Sequence, residues 1–277
     1  MKHQPAPTRA ATRRTRNRLI LLGGAAAVVV VALVVAVLAN GDSAAPATTV
    51  TPSDAAAAIA AVTSVDAATL DAVGAGSSGS DVAVVAGTPL SVDGKPEVLY
   101  LGAEFCPFCA AQRWPLIVAL SRFGTFEGLG VSHSSTSDVY PDTPTFTFFG
   151  STYSSDLLAF TAVETATNEP DGNGGYTPLQ TPTAAQFAAV QELNPKGGIP
   201  FVDFAGRFAI SGASFDPAVL QGMAANDVAV ALSDPTSAVA QNVLGRANMI
   251  TATLCELTGG RPAAVCSSPA VQAFASP

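Results

Sequence analysis

Two cysteines separated by two residues, Cys106 and Cys109, carry the clearest chemistry in this sequence. They follow the apolar run at residues 97–102 (EVLYLG), which predicts a buried strand, and they open a stretch that predicts a helix to about Arg122. Free N–H groups and the positive end of the helix dipole stabilise a thiolate at a helix N-terminus. We therefore predict a redox pair in which Cys106 attacks a partner disulfide and Cys109 resolves the mixed disulfide.

Pro107 fits this placement, because the first turn of a helix leaves its N–H groups unpaired and a proline there costs little. Cys106 lies nearer the helix end and the solvent, which makes it the predicted attacking thiol. Two other uses of the spacing stay open, an inert structural disulfide and half of a metal site. The chain has no second C-x-x-C motif, so we predict no metal.

A proline further along the chain, in the pair Ile199-Pro200, precedes the apolar run at residues 201–204 that predicts a strand. An X-Pro bond that leads into a strand is a position where the cis form occurs. Proline lacks an N–H donor, which suits the start or the edge of a strand. The sequence therefore marks Pro200 as a candidate cis proline.

The remaining cysteines, Cys255 and Cys266, are separated by ten residues that include the turn signal GGRP at 259–262. Four cysteines allow three pairings, of which the local one, Cys106 with Cys109 and Cys255 with Cys266, is the simplest. A structural disulfide closing a loop of this size contributes about 2–3 kcal/mol of stability. The alternative is a shuttle that passes oxidising equivalents to the first pair.

Hydrophobic periodicity and turn signals predict the elements that position these residues. Helices are predicted at residues 53–62, 66–73, 106–122, 183–193, 216–224 and 237–257, and strands at 97–102, 145–149, 201–204 and 207–210. The polar segment 169–180 predicts a long loop. Because strands and helices alternate from Glu97 onward, we predict an α/β layered domain.

An uncharged apolar run at residues 19–39 predicts a single transmembrane helix, since 21 residues span about 31 Å, close to the hydrocarbon core of a bilayer. The basic tail at residues 1–18 precedes it, which predicts a cytoplasmic N-terminus and an extracytoplasmic body. The alternative is a cleaved signal peptide. Both interpretations export the body and predict attachment to, or passage through, the cell membrane.

The charge is divided unevenly between the two sides of this run. Six of the 13 basic side chains lie in residues 1–18, and all 21 acidic side chains lie after residue 40. An acidic body lacks the positive surface that a nucleic-acid backbone requires, so we predict no nucleic-acid partner. Residues 40–80 predict a linker with short helices, and residues 81–277 predict the extracytoplasmic domain.

Taken together, several motifs resemble the thioredoxin superfamily. The similar pieces are the strand VLYLG, the segment AEFC before the C-x-x-C site, a proline within the following helix and the Ile199-Pro200 pair. More narrowly, the chain is similar to the DUF929 family of thioredoxin-like, membrane-anchored proteins. That similarity rests on LGAEFCPFCAAQRW, LSRFGTF, IPFVDFAGRFAISGA and ANMITATLCELTGGRPAAVC, within about residues 80–267.

The resemblance implies a thioredoxin-like domain with insertions, in which a cis proline lies beside the C-x-x-C site and holds the substrate backbone. Ile199 and Pro200 would then form the substrate-side loop. Phe105 and Phe108 flank the reactive thiol and are predicted to shape an apolar groove for a peptide.

One position departs from the superfamily pattern. Thioredoxins carry a buried acid in the strand six residues before the first cysteine, and Tyr100 occupies that position here. Glu104 and Glu164 are the candidate replacements as a proton relay.

These features predict a membrane-tethered, extracytoplasmic thiol–disulfide oxidoreductase that acts on exported proteins. No cofactor is predicted, because the dithiol itself carries two electrons. A membrane redox partner would recycle it. The alternative function is a redox-inert, thioredoxin-like scaffold or binding domain with structural disulfides, since one fold supports many functions. A metallochaperone that uses the CPFC thiolates is a third hypothesis.

Overall fold

A central mixed sheet organises the part of the chain that the computed structural model describes, which is residues 51–77, 79 and 81–274. The predicted tail and transmembrane run, and the start of the predicted linker, lie outside the described residues. The strands are β1 (Ala83–Val84), β2 (Ser91–Val92), β3 (Lys95–Gly102), β4 (Thr125–Glu127), β5 (Gly130–His133), β6 (Pro144–Thr147), β7 (Thr152–Ser154), β8 (Ala159–Glu164), β9 (Ala166–Pro170), β10 (Tyr176–Pro178), β11 (Phe201–Phe204) and β12 (Phe208–Ser211).

Helices surround this sheet and connect its strands, so the fold is a mixed α/β fold. They are α1 (Pro52–Thr63), α2 (Ala67–Val73), α3 (Pro107–Ser121), α4 (Ala184–Leu193), α5 (Ala225–Leu232), α6 (Ala238–Leu257), α7 (Ala263–Cys266) and α8 (Pro269–Gln272), with a short 3₁₀ helix at Pro217–Leu220. Of the helices in the described residues, none alone is long and apolar enough to cross a membrane. One bent pair, α1 with α2, meets that criterion by length and composition only.

The core of the sheet runs in the order β12-β11-β3-β8, with β1 at the far side of β12 and β2 paired to the start of β3. β3 and β8 are parallel, and β11 is antiparallel to both β3 and β12. Parallel neighbours require a crossover connection, and α3 with the segment β4–β7 supplies it. The register places Glu164 at the end of β8 beside Gly102 at the end of β3.

β3 lies at the centre because its sequence is continuously apolar rather than alternating, which suits a strand covered on both faces. Val98, Leu99 and Tyr100 are all buried. Helix α3 is almost wholly buried as well and packs against α6, α1 and β6. The Trp114 indole N–H donates a hydrogen bond to the Pro144 carbonyl at 2.8 Å, which ties α3 to β6.

Most of the predicted elements are confirmed within a few residues, including the strand at 97–102 and the helix at 237–257. The predicted loop at 169–180 is wrong in part, because β9 and β10 pair there as a hairpin. The Asp171 carboxylate accepts hydrogen bonds from the N–H groups of Asn173 and Gly175, which closes the turn. The polar residues of this segment therefore form a tight turn and parts of the two short strands, β9 and β10, on either side of it.

Two further differences lie after β12. The predicted helix at 216–224 is only a 3₁₀ turn, and α5 follows it without having been predicted.

The helices predicted within the linker, α1 and α2, pack into the body: Ala58 and Val62 are fully buried. The Asn248 side-chain amide of α6 donates to the carbonyls of Leu70 and Gly74, which anchors the end of α2.

Candidate functional site

Cys106 is the N-cap of α3, the last residue before the helix begins at Pro107. The Cys109 N–H, one turn into the helix, donates to the Cys106 sulfur at 3.3 Å. Both cysteines are free thiols and both are buried, with Cys106 6% exposed and Cys109 fully covered. The cap thus places one sulfur at the helix end, where unpaired N–H groups stabilise negative charge.

The two thiols have opposite electrostatic environments. The pKa of Cys106 is lowered, first by a hydrogen bond with the Cys109 thiol and then by the Cys109 N–H and the charge of Arg113, which together outweigh burial. The pKa of Cys109 is raised well above its ordinary value, mainly by burial. Cys106 is therefore the thiol that ionises first, as an attacking sulfur requires.

The loop before β11 lies against Cys106. The Ile199–Pro200 peptide bond is cis, and the Ile199 carbonyl oxygen lies 4.0 Å from the Cys106 sulfur. The Asn194 side-chain amide donates to the Gly198 carbonyl at 2.7 Å, and the Gly212 N–H donates to the Pro200 carbonyl at 2.8 Å. These bonds hold the loop from both sides, so Ile199 and Pro200 do lie beside Cys106.

Two aromatic pairs flank the thiols. The ring of Phe105 stacks on Tyr176 of β10, with ring centroids 4.1 Å apart. Phe108 is 39% exposed and packs edge-on against Tyr140, with centroids 6.0 Å apart. Tyr140 and Tyr176 were not among the predicted site residues. Each is an aromatic residue within a polar, glycine- or serine-containing stretch, a signal that could have marked them.

The segment before Cys106 is hydrogen-bonded to the β9–β10 region and to the segment that follows β5. The Glu104 N–H donates to the Ala166 carbonyl, and the Ser135 N–H donates to the Phe105 carbonyl. The Tyr176 hydroxyl donates to the Ser135 hydroxyl at 2.7 Å. The approach to the thiol is therefore fixed by β9–β10 on one side and by the segment after β5 on the other.

The two predicted proton-relay acids have different surroundings. Glu164 is fully buried and forms a two-point ion pair with Arg113 of α3, at 2.9 Å to Nε and 2.7 Å to Nη2. Glu104 is half-buried, and its carboxylate accepts a short hydrogen bond from the Thr147 hydroxyl. Within the described residues, neither carboxylate forms a hydrogen bond with a thiol.

Arg113 was not predicted as a site residue, yet it lies one helical turn after Cys109. Its Nη2 also donates to the Ala103 carbonyl at 2.9 Å, and its guanidinium lies 5.8 Å from the centre of the Tyr100 ring. Burial lowers the pKa of this guanidinium, but the Glu164 carboxylate, together with Tyr100 and Cys109, outweighs burial and the net pKa is raised. Arg113 is therefore a permanent buried cation next to the dithiol.

The second cysteine pair lies elsewhere. Cys255 and Cys266 form a disulfide with their Cα atoms 5.6 Å apart, joining the end of α6 to α7. Arg122, at the C-terminal end of α3, reaches Ser268 near this bond, with Nη2 3.3 Å from the hydroxyl. Cys106 begins the same helix, which is about 22 Å long, so the two pairs lie toward opposite ends of α3.

Metal-binding geometry is not found in the part of the chain described here: no group of three or more His, Cys, Asp or Glu side chains is placed to hold an ion. Among the described residues, one surface cleft of about 570 Å³ lies between Lys95, Phe123 and Tyr153, and another of about 340 Å³ is lined by Phe148 and Gln180. Neither of these two clefts is lined by a cysteine.

Comparison with known proteins places part of this site in one family. The family model described as "Domain of unknown function (DUF929)" matches residues 81–174, which contain the dithiol, Arg113 and Glu164. The match ends before Ile199-Pro200 and before the disulfide pair. No curated protein and no solved structure matches the chain. The chain therefore contains a DUF929 domain, and the Cys106–Cys109 pair lies within it.

Proposed function

We propose that this protein is a membrane-tethered, extracytoplasmic thiol–disulfide oxidoreductase that acts on exported proteins through Cys106 and Cys109. One observation carries the proposal. The Cys106 sulfur caps α3, accepts the Cys109 N–H and lies 4.0 Å from the carbonyl of the cis Ile199–Pro200 bond. A low-pKa thiol with a second thiol one turn away is the arrangement that disulfide exchange needs.

The topology supports a thioredoxin-like fold with insertions. β3, α3 and β8 form a βαβ unit, the β11–β12 hairpin extends the same sheet, and α6 follows. The dithiol lies at the start of the crossover helix. On this interpretation β4–β7 and the β9–β10 hairpin are the insertions, and they carry the aromatic residues that flank the site.

The proposed reaction has two balanced steps. The Cys106 thiolate attacks one sulfur of a partner disulfide, so a Cys106–partner bond forms, the partner S–S bond breaks and the released sulfur takes a proton. The Cys109 thiol then loses its proton and attacks Cys106, forming the Cys106–Cys109 disulfide and releasing the second partner thiol. The dithiol loses two electrons and two protons, the partner disulfide gains them, and the reverse sequence oxidises a partner dithiol.

The proposed substrate is a polypeptide rather than a small molecule. Phe108 is exposed beside the thiols, and Phe105 stacked on Tyr176 forms a second apolar wall. Pro200 has no N–H and so donates no backbone hydrogen bond. We propose that the Ile199 carbonyl accepts a hydrogen bond from the backbone of an extended substrate chain. We propose Ile199, Pro200, Phe105 and Phe108 as the substrate contacts.

The location and the recycling partner are proposed from the sequence. The apolar run at residues 19–39 would anchor the protein with its N-terminus in the cytoplasm and its body outside. A membrane-bound redox protein would restore the dithiol or the disulfide after each cycle. Such an anchor would keep the site close to both exported chains and that partner.

The decisive experiment is a trapping assay with the full-length chain in its native membrane. Cys109→Ser removes the resolving sulfur, so we expect Cys106-linked mixed disulfides with exported proteins, visible on non-reducing gels and lost on reduction. Cys106→Ser is the matched control and should trap nothing. If Cys109→Ser also traps nothing, while reduced Cys106 remains present, the proposal is wrong.

A second function is supported by one specific observation, the low exposure of both sulfurs. A redox-inert scaffold would keep the pair covered and closed to exchange. A titration in glutathione buffers separates the two functions. An exchanging pair gives a potential between about −120 mV for an oxidant and −270 mV for a reductant, whereas a pair that never exchanges in the folded protein favours the scaffold.

A further inference from the structure

The buried ion pair between Arg113 and Glu164 is costly for the fold. Removing two charges from water is only partly repaid by their attraction, and apolar residues of similar size often stabilise a core as well or better. Among the described residues, Arg113 Nη1 and the Tyr100 hydroxyl are also buried without a hydrogen-bond partner. Unpaired buried polar atoms are rare in native proteins, and each calls for an explanation.

The position of the pair indicates what that explanation is. Arg113 follows Cys109 by four residues, so both side chains lie on one face of α3. The Ala103 carbonyl, three residues before Cys106, accepts a hydrogen bond from Arg113. The charged and titratable groups of this cluster come from three elements: Arg113 from α3, Tyr100 from β3 and Glu164 from β8. Of these, Arg113 acts on both thiols.

In the described part of the chain, neither Glu164 nor Tyr100 forms a hydrogen bond with a thiol. The two Glu164 oxygens accept hydrogen bonds from Arg113, and Oε1 also accepts the Phe148 N–H at 3.5 Å. The Tyr100 pKa is well above its ordinary value, mainly because the ring is buried, so the hydroxyl keeps its proton. Arg113 therefore supplies the fixed positive charge of this cluster, and that charge favours the anionic form of both sulfurs.

We propose that Arg113 is a positioning residue that stabilises the sulfur anions of the dithiol by its charge, and that Glu164 sets how much of that charge the thiols experience. This inference rests on the proposed function for its purpose: each exchange step passes through a thiolate, first at Cys106 and then at Cys109. The cation would lower the cost of both anions without a carboxylate base.

The proposal makes predictions of opposite sign for the two partners. Glu164→Gln removes the counter-charge but keeps an acceptor for Arg113, so the thiolate of Cys106 should persist to lower pH. Arg113→Met removes the cation, so the thiolate should appear only at higher pH. A purely structural role would shift both variants in the same direction or in neither.

The test is the rate of iodoacetamide alkylation at Cys106 across pH, read by mass spectrometry on the reduced full-length protein in detergent. At pH below the wild-type midpoint we expect Glu164→Gln to react about three- to tenfold faster and Arg113→Met about three- to tenfold slower. Arg113→Lys keeps the charge and should restore most of the wild-type rate. Arg246→Lys, at a buried arginine that binds the Ala75 and Ser77 carbonyls, is the matched control and should leave the pH profile unchanged.

The Glu164→Gln variant alone tests whether the charge of Arg113 stabilises the thiolates, even if Arg113→Met fails to fold. An unchanged or slower alkylation rate in folded Glu164→Gln overturns the proposal, and so does an equal shift in Arg246→Lys. Alkylation needs no protein substrate, so the two proposals can fail separately. Opposite shifts in the alkylation rate, without any mixed disulfide in the trapping assay, would reject the oxidoreductase and keep the role of Arg113. Mixed disulfides without those shifts would support the oxidoreductase and reject the role of Arg113.

Discussion

The two cysteine pairs of this protein are a controlled comparison, because the same side chain has been placed in two different settings. Cys106 and Cys109 lie at a helix N-terminus beside a cis proline loop and a buried cation, and both are free. Cys255 and Cys266 lie where α6 ends and α7 follows, and they are bonded to each other. Burial is similar in the two pairs, so exposure alone does not separate them.

Helix position and electrostatic surroundings, more than exposure, distinguish the free pair from the disulfide-bonded pair. The N-cap position of Cys106 supplies N–H groups that stabilise a thiolate. At the second pair the sulfurs lie within the apolar core cluster, and Thr258 and Arg261 close the turn between them through their own hydrogen bonds.

The largest effect is expected at the attacking sulfur. Cys106→Ser should reduce thiol–disulfide exchange by about a thousandfold or more, because a hydroxyl at neutral pH is a far weaker nucleophile than a thiolate. The free energy of unfolding should change by no more than about 1 kcal/mol, since serine keeps the cap. Exchange with a model disulfide and urea unfolding measure the two quantities, and residual exchange above a tenth of the wild-type rate would contradict the assignment.

The second pair should show the reverse pattern. The double variant Cys255→Ser/Cys266→Ser should lose about 2–3 kcal/mol of unfolding free energy, because the disulfide restricts the unfolded chain. Its exchange rate at Cys106 should match the wild type. Urea unfolding under non-reducing conditions, together with the same exchange assay, tests both. A fall in exchange while the protein stays folded would instead support a shuttle between the pairs.

Asp203, a buried carboxylate of β11, is expected to affect the stability of the protein without affecting the thiols. Burial raises the pKa of Asp203 to about 6, the Gly206 N–H opposes this, and the charges of Glu97 and Glu192 add to it. The folded state thus binds this proton more tightly than the unfolded chain, whose ordinary pKa is 3.8. The contribution of Asp203 to stability is greatest below about pH 4 and is lost as the pH rises to about 6.

Asp203→Asn should remove this dependence and stabilise the protein by about 1–2 kcal/mol at pH 7.5. The asparagine oxygen can still accept the Gly206 N–H, which Asp203 Oδ1 binds at 2.6 Å. The measurement is the difference in unfolding free energy between variant and wild type at pH 4.5 and pH 7.5. A difference that does not grow with pH would mean that Asp203 titrates normally, and the alkylation rate of Cys106 should be the same in both proteins.

The smallest effect is expected at Phe108, the exposed aromatic residue beside Cys106 and Cys109. Phe108→Ala should slow exchange with a protein disulfide about threefold, because exposed aromatic contacts contribute modestly to binding. Exchange with glutathione should stay within experimental error, since glutathione is too small to need that wall. Phe187→Ala is the matched control at an exposed phenylalanine of α4. An equal loss toward both disulfides would place Phe108 in the chemistry rather than in recognition.

Local signals were sufficient for part of the fold and for part of the site. The strand before Cys106, the helix after it and the strands at 201–204 and 207–210 were predicted because each depends on neighbours in sequence. The hairpin at β9–β10 was missed, since its strands are short and polar and only the Asp171 turn holds them in register. The helix α5 was missed beside the 3₁₀ turn that begins at Pro217.

Residue types and short spacings were enough to predict the available chemistry: a C-x-x-C pair at a strand–helix junction, a proline before a strand, and a second pair of cysteines further along the chain. The charges that surround the dithiol could be identified only from the fold. Glu164 reaches Arg113 across 51 residues because the parallel register of β3 and β8 brings the two strand ends together beneath α3. Such pairing is set by sheet topology, which no local pattern encodes.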